Sequence, residues 1–490
     1  MGLKLIEPLR FVWNATRGHR LTPWRSPFLR WRVETYSGQK AETLTAKSMF
    51  GFLWTERWEL LRFLRWTGQM EREARKKDGE RGSRSNRQMN EDHKPLVTRR
   101  EFGRTAAAAS AAALVGALSV AEWRLIERND RLRSAMRADV TGANSLEAHA
   151  AKRGLLYGAA VDPELLDVEG VAKGHTKDAY TQLVSAQTGI LVAENAMKWR
   201  ALRPALDRFD FALADRMMRF AGLTGKRVRG HNLCWHEALP DWFAGAANKD
   251  NGRKLLTDHI RTVAGHFRGQ LQSWDVVNEA VEPDDGRADG LRRSPWLELV
   301  GPDYIELAFR TAAETDPQAK LTYNDYGIET DKPEEAAKRA QVLALLQRLQ
   351  ARGVPIHAMG VQSHLLAKGQ QPGAGLQSFL SEVAGMGLEV YITEMDVDTT
   401  GVAGGTRARD AAVAKVYGDY PALVLADQNV KMLLTWGLTS ANSWVNSRER
   451  RMKRFPDLGW QRPLPFDDDF APTQAFWALR AALDQVPARV

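Results

Sequence analysis

Two glutamates close apolar runs, where a carboxylate is costly unless it has a partner or a task. Glu279 ends Trp274-Asp275-Val276-Val277-Asn278-Glu279, and Glu394 ends Val390-Tyr391-Ile392-Thr393-Glu394. Comparable positions along the chain hold further carboxylates, amides, imidazoles and indoles: Glu194 and Asn195; His231 and Trp235; Asn278; Asn324 and Asp325; Gln362 and His364; Asp396; and Trp436. Paired carboxylates beside aromatic faces are equipment for cleaving a glycosidic bond. One acid protonates the leaving oxygen, and the other meets an oxocarbenium-like centre from the opposite face. Indole rings receive the C–H face of a pyranose, while amides, Lys and His bond its hydroxyls. Either glutamate alone reads equally well as an ion pair or a helix cap; the two together among tryptophans do not. The 115 residues between them carry no information about their separation in space, so retention or inversion is open at this level.

Other chemistries find less support. His231 and His236 are five residues apart with no further ligand pattern, so no metal site is expected. Cys234 is the only cysteine, which excludes an intrachain disulfide, a multi-cysteine zinc site and an iron–sulfur cluster. It reads as a packed small residue. No glycine pattern after a strand cradles a phosphate or a dinucleotide, and no cofactor is expected. The run Tyr323-Asn324-Asp325-Tyr326 is either part of the site or a plain turn.

The elements that must position these side chains are legible as periodicity. Eight short apolar runs, beginning near residues 154, 188, 227, 271, 320, 357, 388 and 431, alternate with amphipathic stretches of helical length such as PALDRFDFALADRMMRFA. Eight βα units predict an α/β protein built as a closed (β/α)8 TIM barrel over residues 150–486, with its site at the C-terminal ends of the strands. Residues 122–149 read as a linker or helix.

Charge is unevenly distributed. The net formal charge is +9, but residues 1–104 hold 23 Lys/Arg against 12 Asp/Glu, and the remaining 386 residues hold 46 against 48. The barrel segment is therefore near neutral, which argues against a nucleic-acid partner. Residues 1–97 show no sustained period, and they end in a polar run of low expected order. Thr98-Arg99-Arg100-Glu101-Phe102 then precedes an Ala-rich apolar stretch ending in Ser119-Val120-Ala121. Residues 98–121 have the shape of a twin-arginine export signal, with an uncleaved anchor or an ordinary helix as alternatives. Met89 lies nine residues before Thr98, so residues 1–88 are expected to be an over-extended start or a removed leader, with a basic membrane- or nucleic-acid-binding module as the other reading. An exported protein, periplasmic or extracellular, without stable membrane insertion is the expectation.

Several motifs, in order, resemble glycoside hydrolase family 10, the endo-β-1,4-xylanases. They are Glu194-Asn195-Ala196-Met197-Lys198-Trp199, Arg229-Gly230-His231 with Trp235-His236, Trp274 to Glu279, Gly360-Val361-Gln362-Ser363-His364, Ile392-Thr393-Glu394-Met395-Asp396, and Trp436-Gly437 with Ser443-Trp444. Pro465-Phe466-Asp467 followed by Pro472 resembles the family's closing segment. The resemblance implies a retaining hydrolase of xylan or xylo-oligosaccharides, expected to be monomeric, with Glu279 as acid/base and Glu394 as nucleophile. It implies that His364, braced by Asp396, orients Glu394, and that Asn278 bonds a sugar 2-hydroxyl. Glu194, Asn195, Lys198 and His231 would bind sugars on the non-reducing side, Gln362 would line the site, and Trp235, Trp436 and Trp444 would wall it. Two positions depart from the pattern: Glu237-Ala238 stand where the family has Ser-Gln, and Ser440 where it has Asp. A hydrolase of another β-1,4-glycan or aryl β-glycoside is the nearest alternative, and a non-catalytic glycan-binding barrel is the alternative from another class.

Overall fold

The structure, a computed structural model, describes residues 139–447 and 460–489, together with Thr45. Apart from Thr45, the extension 1–97 and the export-type segment 98–121 lie outside the described residues. Eight parallel strands close into a ring: β1 (Leu156–Val161), β2 (Ile190–Ala193), β3 (Arg227–Cys234), β4 (Ser273–Asn278), β5 (Lys320–Asp325), β6 (Ala358–Val361), β8 (Glu389–Asp398) and β9 (Val430–Thr435). Neighbours pair in that order, β6 reaches β8 directly, and β9 pairs back to β1. The short β7 (His364–Leu366) lies along the far half of β8, with His364 opposite Asp396. All eight expected runs are strands of the barrel.

These runs are strands because a parallel barrel buries both faces, which suits unbroken apolar sequence rather than alternation. Ile190, Leu191, Val192 and Ala193 are all fully buried. Inside the ring Ala160, Ile190, Val192, Ala358, Tyr391, Met432, Leu434 and Trp436 pack together, while a larger apolar layer joins the outer strand faces to the helices. Gly158 sits opposite Ile190, where a Cβ would lie 2.0 Å from the Ile190 carbonyl oxygen, so only glycine lets β1 approach β2.

The helices carry their own start and stop signals. Asp178 accepts from the Thr181 amide at 2.7 Å to open Ala179–Gln187. Helix Ala212–Thr224 buries Ala214, Met217, Phe220 and Ala221 on one stripe and stops at Gly225, whose φ of 66° is left-handed. Pro333 opens Pro333–Ala351 at the first turn, where a missing N–H costs nothing. Helix Gln474–Gln485 packs on Thr406–Val424 and on Leu146–Ala151. Gln187 accepts from the Leu146 amide and donates to the Val140 carbonyl, and Val140 and Leu146 are buried, so barrel packing begins ahead of residue 150. Among the described residues no helix is long and apolar enough to cross a membrane.

Candidate active site

The C-terminal strand ends bring the chemistry-bearing residues to one mouth. Glu279 follows β4 with a left-handed φ of 57°, an unfavourable conformation for a non-glycine residue that persists only where surroundings hold it. The residue is 8% exposed, and its carboxylate accepts from neutral donors: Trp235 Nε1 at 2.8 Å on Oε2, and Gln362 Nε2 at 2.9 Å and Asn278 Nδ2 at 3.1 Å on Oε1. Burial raises the carboxyl pKa to about 7, against the pull of the Gln362 and Trp235 hydrogen bonds, and the charges of Asp325 and Glu394 add to the rise. Glu279 is therefore about half protonated at pH 7 and mostly protonated below it.

Glu394, inside the last part of β8, has the opposite setting. Its Oε1 accepts from Asn324 Nδ2 at 2.8 Å, and its Oε2 meets His364 Nε2 at 3.3 Å. His364 Nδ1 lies 3.0 Å from Asp396 Oδ1, and the Trp444 indole N–H donates to the other Asp396 oxygen. Burial would discharge His364, but the Asp396 carboxylate and the Glu394 contact raise its pKa to about 10, so it is a cation donating from both nitrogens. Burial would likewise raise Glu394; the His364 hydrogen bond, with the fields of His231, His364 and Arg229, instead lowers it to about 2. Two carboxyls in one cleft thus titrate far apart, so that below pH 7 one is mostly protonated while the other is ionised.

One amide network joins them. Asn324 Nδ2 donates at 2.8 Å to Asn278 Oδ1 as well as to Glu394, Asn278 reaches Glu279, and Thr393 Oγ1 fixes the Asn324 amide by donating to its oxygen at 2.8 Å. Gln362 Nε2 also lies 3.4 Å from Asn278 Oδ1. His231 bonds Asp275 at 2.8 Å, and Asp275 pairs with Arg229, all three buried inside the barrel.

Above this floor stand the walls. Lys198 Nζ lies 5.2 Å from the Trp235 ring and 5.7 Å from the Trp436 ring and donates to Asn195 Oδ1 at 3.1 Å. Burial lowers its pKa, partly offset by Glu394 and Glu194. Glu194 is raised by burial, with Lys198 opposing. Trp436 packs edge-on to His231 and His364, and Trp444 lies 4.9 Å from the His364 ring. The residues singled out for the site from the sequence lie at this mouth except Asp325, whose buried side chain turns to Tyr323 and Lys338. The divergent positions are built in differently: Ala238 adopts a left-handed φ of 51° and its carbonyl accepts from the Arg200 amide, and the buried Ser440 donates to the Phe466 carbonyl through its amide at 3.0 Å. Among the described residues no cluster of His, Cys, Asp or Glu could hold a metal ion.

Arg229, Asp275 and Thr393 stand inside the quoted motifs without a role of their own, as does Asn324 in its run, and Arg292 is marked by no motif. Arg229 and Asp275 were signalled by charge in the middle of apolar strands. Thr393 and Arg292 carried no such mark, because their contacts come from other strands and loops.

The arrangement can protonate one oxygen and attack from the other side without a cofactor, with indoles to seat a sugar ring. Residues 145–482 match the family model described as Glycosyl hydrolase family 10. The chain is 35% identical over 312 residues to endo-1,4-beta-xylanase B of Thermotoga neapolitana, covering 63% of this chain and 84% of that protein. Its structure resembles native xylanase 10B from Thermotoga maritima, with a TM-score of 0.60 at 33% identity over 70% of this chain and 98% of that one. It also resembles xylanase 10B from Thermotoga petrophila RKU-1 in complex with xylobiose, with a TM-score of 0.60 at 32% identity over 70% and 97% of the two chains. With match and barrel coinciding from the first helix to the last, the chain belongs to glycosyl hydrolase family 10 and is a glycoside hydrolase.

Proposed function

We propose that this protein is an endo-β-1,4-xylanase that cleaves xylan with retention, using Glu279 as acid/base and Glu394 as nucleophile. The observation that carries the assignment is the contrast in donors: Glu394 accepts from the His364 cation, and Glu279 only from neutral indole and amide groups. In the first step a Glu394 oxygen bonds to the anomeric carbon as the glycosidic C–O bond breaks, and Glu279 gives its proton to the departing oxygen. Water then attacks the glycosyl ester while Glu279 takes its proton back, releasing Glu394 as carboxylate. His364, braced by Asp396, orients the nucleophile, and Asn278 bonds the 2-hydroxyl at the reacting sugar. Glu194, Asn195, Lys198 and His231 hold the sugars on the non-reducing side, with Gln362 lining the site and Trp235, Trp436 and Trp444 as its apolar walls. Relatives carrying the xylanase name, one of them with xylobiose bound, support xylan as the substrate class.

Glu279→Ala and Glu394→Ala variants test the roles. Both should lose reducing-sugar release from xylan, and azide should restore turnover of an activated aryl xylobioside by Glu279→Ala through a β-glycosyl azide. Full activity in Glu394→Ala, or an α-anomer as the first wild-type product in proton NMR, would refute the mechanism. We further propose that residues 98–121 direct export of a monomeric barrel; a mature exported protein whose N-terminus lies within 1–88 would contradict this.

A further inference from the structure

The run Tyr323-Asn324-Asp325-Tyr326 contributes Asn324 to the amide network, which leaves Tyr323 and Asp325 unexplained although both are fully buried. The Tyr323 hydroxyl accepts from the backbone amides of Ala280 and Val281, each at 3.1 Å, and donates to Asp325 Oδ2. Asp325 Oδ1 is paired with Lys338 Nζ at 2.9 Å, a lysine only 4% exposed. The hydroxyl therefore has one donor direction and two acceptor lone pairs, and all three are used.

The peptide units that Tyr323 grips are those that follow Glu279. The Glu279 amide donates to the Asn324 carbonyl at 2.9 Å, and its carbonyl accepts from Arg292 Nε at 2.8 Å. The Ala280 carbonyl accepts from the Arg292 amide at 2.7 Å. Two consecutive amides, those of Ala280 and Val281, converge on the one oxygen of Tyr323. Without that acceptor both would be buried and unpaired beside a glutamate already in the left-handed region, and the turn would lose two of the hydrogen bonds that hold it there. Asp325 and Lys338 set the direction of the acceptor: the carboxylate fixes the phenol hydrogen, so the lone pairs face the turn.

Resting on the assignment of Glu279 as the proton donor, we propose that Tyr323 is a positioning residue for that proton transfer. Its hydroxyl, aligned by Asp325 and Lys338, holds the left-handed turn that aims the Glu279 carboxyl at the leaving oxygen. The side chains of the cluster bond neither Glu394 nor the indole walls, and its one link to the site's lining is the Asp325 carbonyl, which accepts from the Gln362 amide at 2.9 Å. Loss of those side chains should therefore weaken protonation of the leaving group and leave nucleophilic attack intact.

That difference is measurable by varying the leaving group. kcat/KM, which reports the steps through glycosyl-ester formation, is compared on xylohexaose, whose leaving alkoxide needs a proton, and on 2,4-dinitrophenyl xylobioside, whose phenolate does not. Tyr323→Phe should lose roughly 10- to 100-fold on xylohexaose and less than about 3-fold on the aryl glycoside. Glu279→Ala measured alongside should show the same split more strongly. If Glu279→Ala shows the split and Tyr323→Phe loses equally on both substrates, or on neither, the positioning role is overturned. If Glu279→Ala shows no split, the acid/base assignment itself fails. Should Tyr323→Phe not fold, Asp325→Asn, which keeps the volume, decides: the split should persist, and the basic limb of kcat/KM should move to lower pH. The sign follows from the charges facing Glu279, because Asp325 and Glu394 favour its protonated form while Lys198 favours the ionised one. An Asp325→Asn enzyme with no split and an unmoved limb would overturn the proposal.

Discussion

His364 is the group that keeps the nucleophile charged, and replacing it by glutamine removes the cation while retaining a side chain of similar reach. The fall of Glu394 from an ordinary 4.5 to about 2 corresponds to about 3 kcal/mol of preference for the ionised form, at roughly 1.4 kcal/mol per tenfold change. Burial acts the other way, and it persists in the variant. Without the His364 cation the Glu394 pKa should therefore rise, with the fields of His231 and Arg229 still opposing burial. Because Glu394 must be ionised to attack, activity is lost as pH falls through its pKa, so the acidic limb moves upward. The assay is kcat/KM on an aryl xylobioside between about pH 3.5 and 7, which reports groups in the free enzyme. Wild type should stay flat on the acid side down to about pH 3.5, whereas the His364→Gln profile should turn down at a higher pH. The shape of the profile separates this from mere damage, which lowers the plateau without moving the limb. A second readout has its own sign. His364 titrates near 10 when folded against 6.5 for the free group, so its contribution to stability is fully present below pH 6.5 and disappears as pH rises towards 10. The stability deficit of His364→Gln should accordingly shrink over that interval. An acidic limb left where the wild type has it would refute the claim that His364 holds Glu394 in its charged form.

Glu279→Gln should abolish xylan hydrolysis yet raise thermal stability at alkaline pH. A folded pKa of about 7 against 4.5 means the native state resists ionisation, so wild-type stability falls from pH 4.5 to 7. Thermal unfolding should show the variant gaining up to about 3 kcal/mol above pH 7 and little below pH 4.5, while a pH-independent difference would count against burial as the cause. Gly158→Ala should destabilise the barrel by about 1–3 kcal/mol or more in urea titration, since its Cβ would meet the Ile190 carbonyl at 2.0 Å; unchanged stability would mean that β1 and β2 can separate freely.

Much of this was legible in one dimension. Apolar runs of strand length alternating with amphipathic helical stretches determined eight βα units, because burial on both faces of a parallel barrel demands that composition. The same pattern marked Glu279 and Glu394, since ionisable groups ending such runs stand out against them. Family motifs then named the neighbours, and the chain's net positive charge was already assigned to residues ahead of the barrel.

Tertiary structure alone decided how those groups work on one another. Gln362 meets Glu279 across 83 residues and Asn324 meets Glu394 across 70, distances in sequence that carry no geometric content until the ring closes. Protonation state is equally non-local: both residues are glutamates ending apolar runs, and only the surrounding donors, a histidine cation for one and an indole with amides for the other, drive their pKa values apart. The Tyr323 run shows the limit most clearly. As sequence it was a turn or a site with nothing to choose between them, and it acquired a function only when the backbone of a different strand end came within 3.1 Å of one phenol oxygen. Sequence records which groups are available and which must be buried; closure of the barrel determines which of them touch, and chemistry follows from contact.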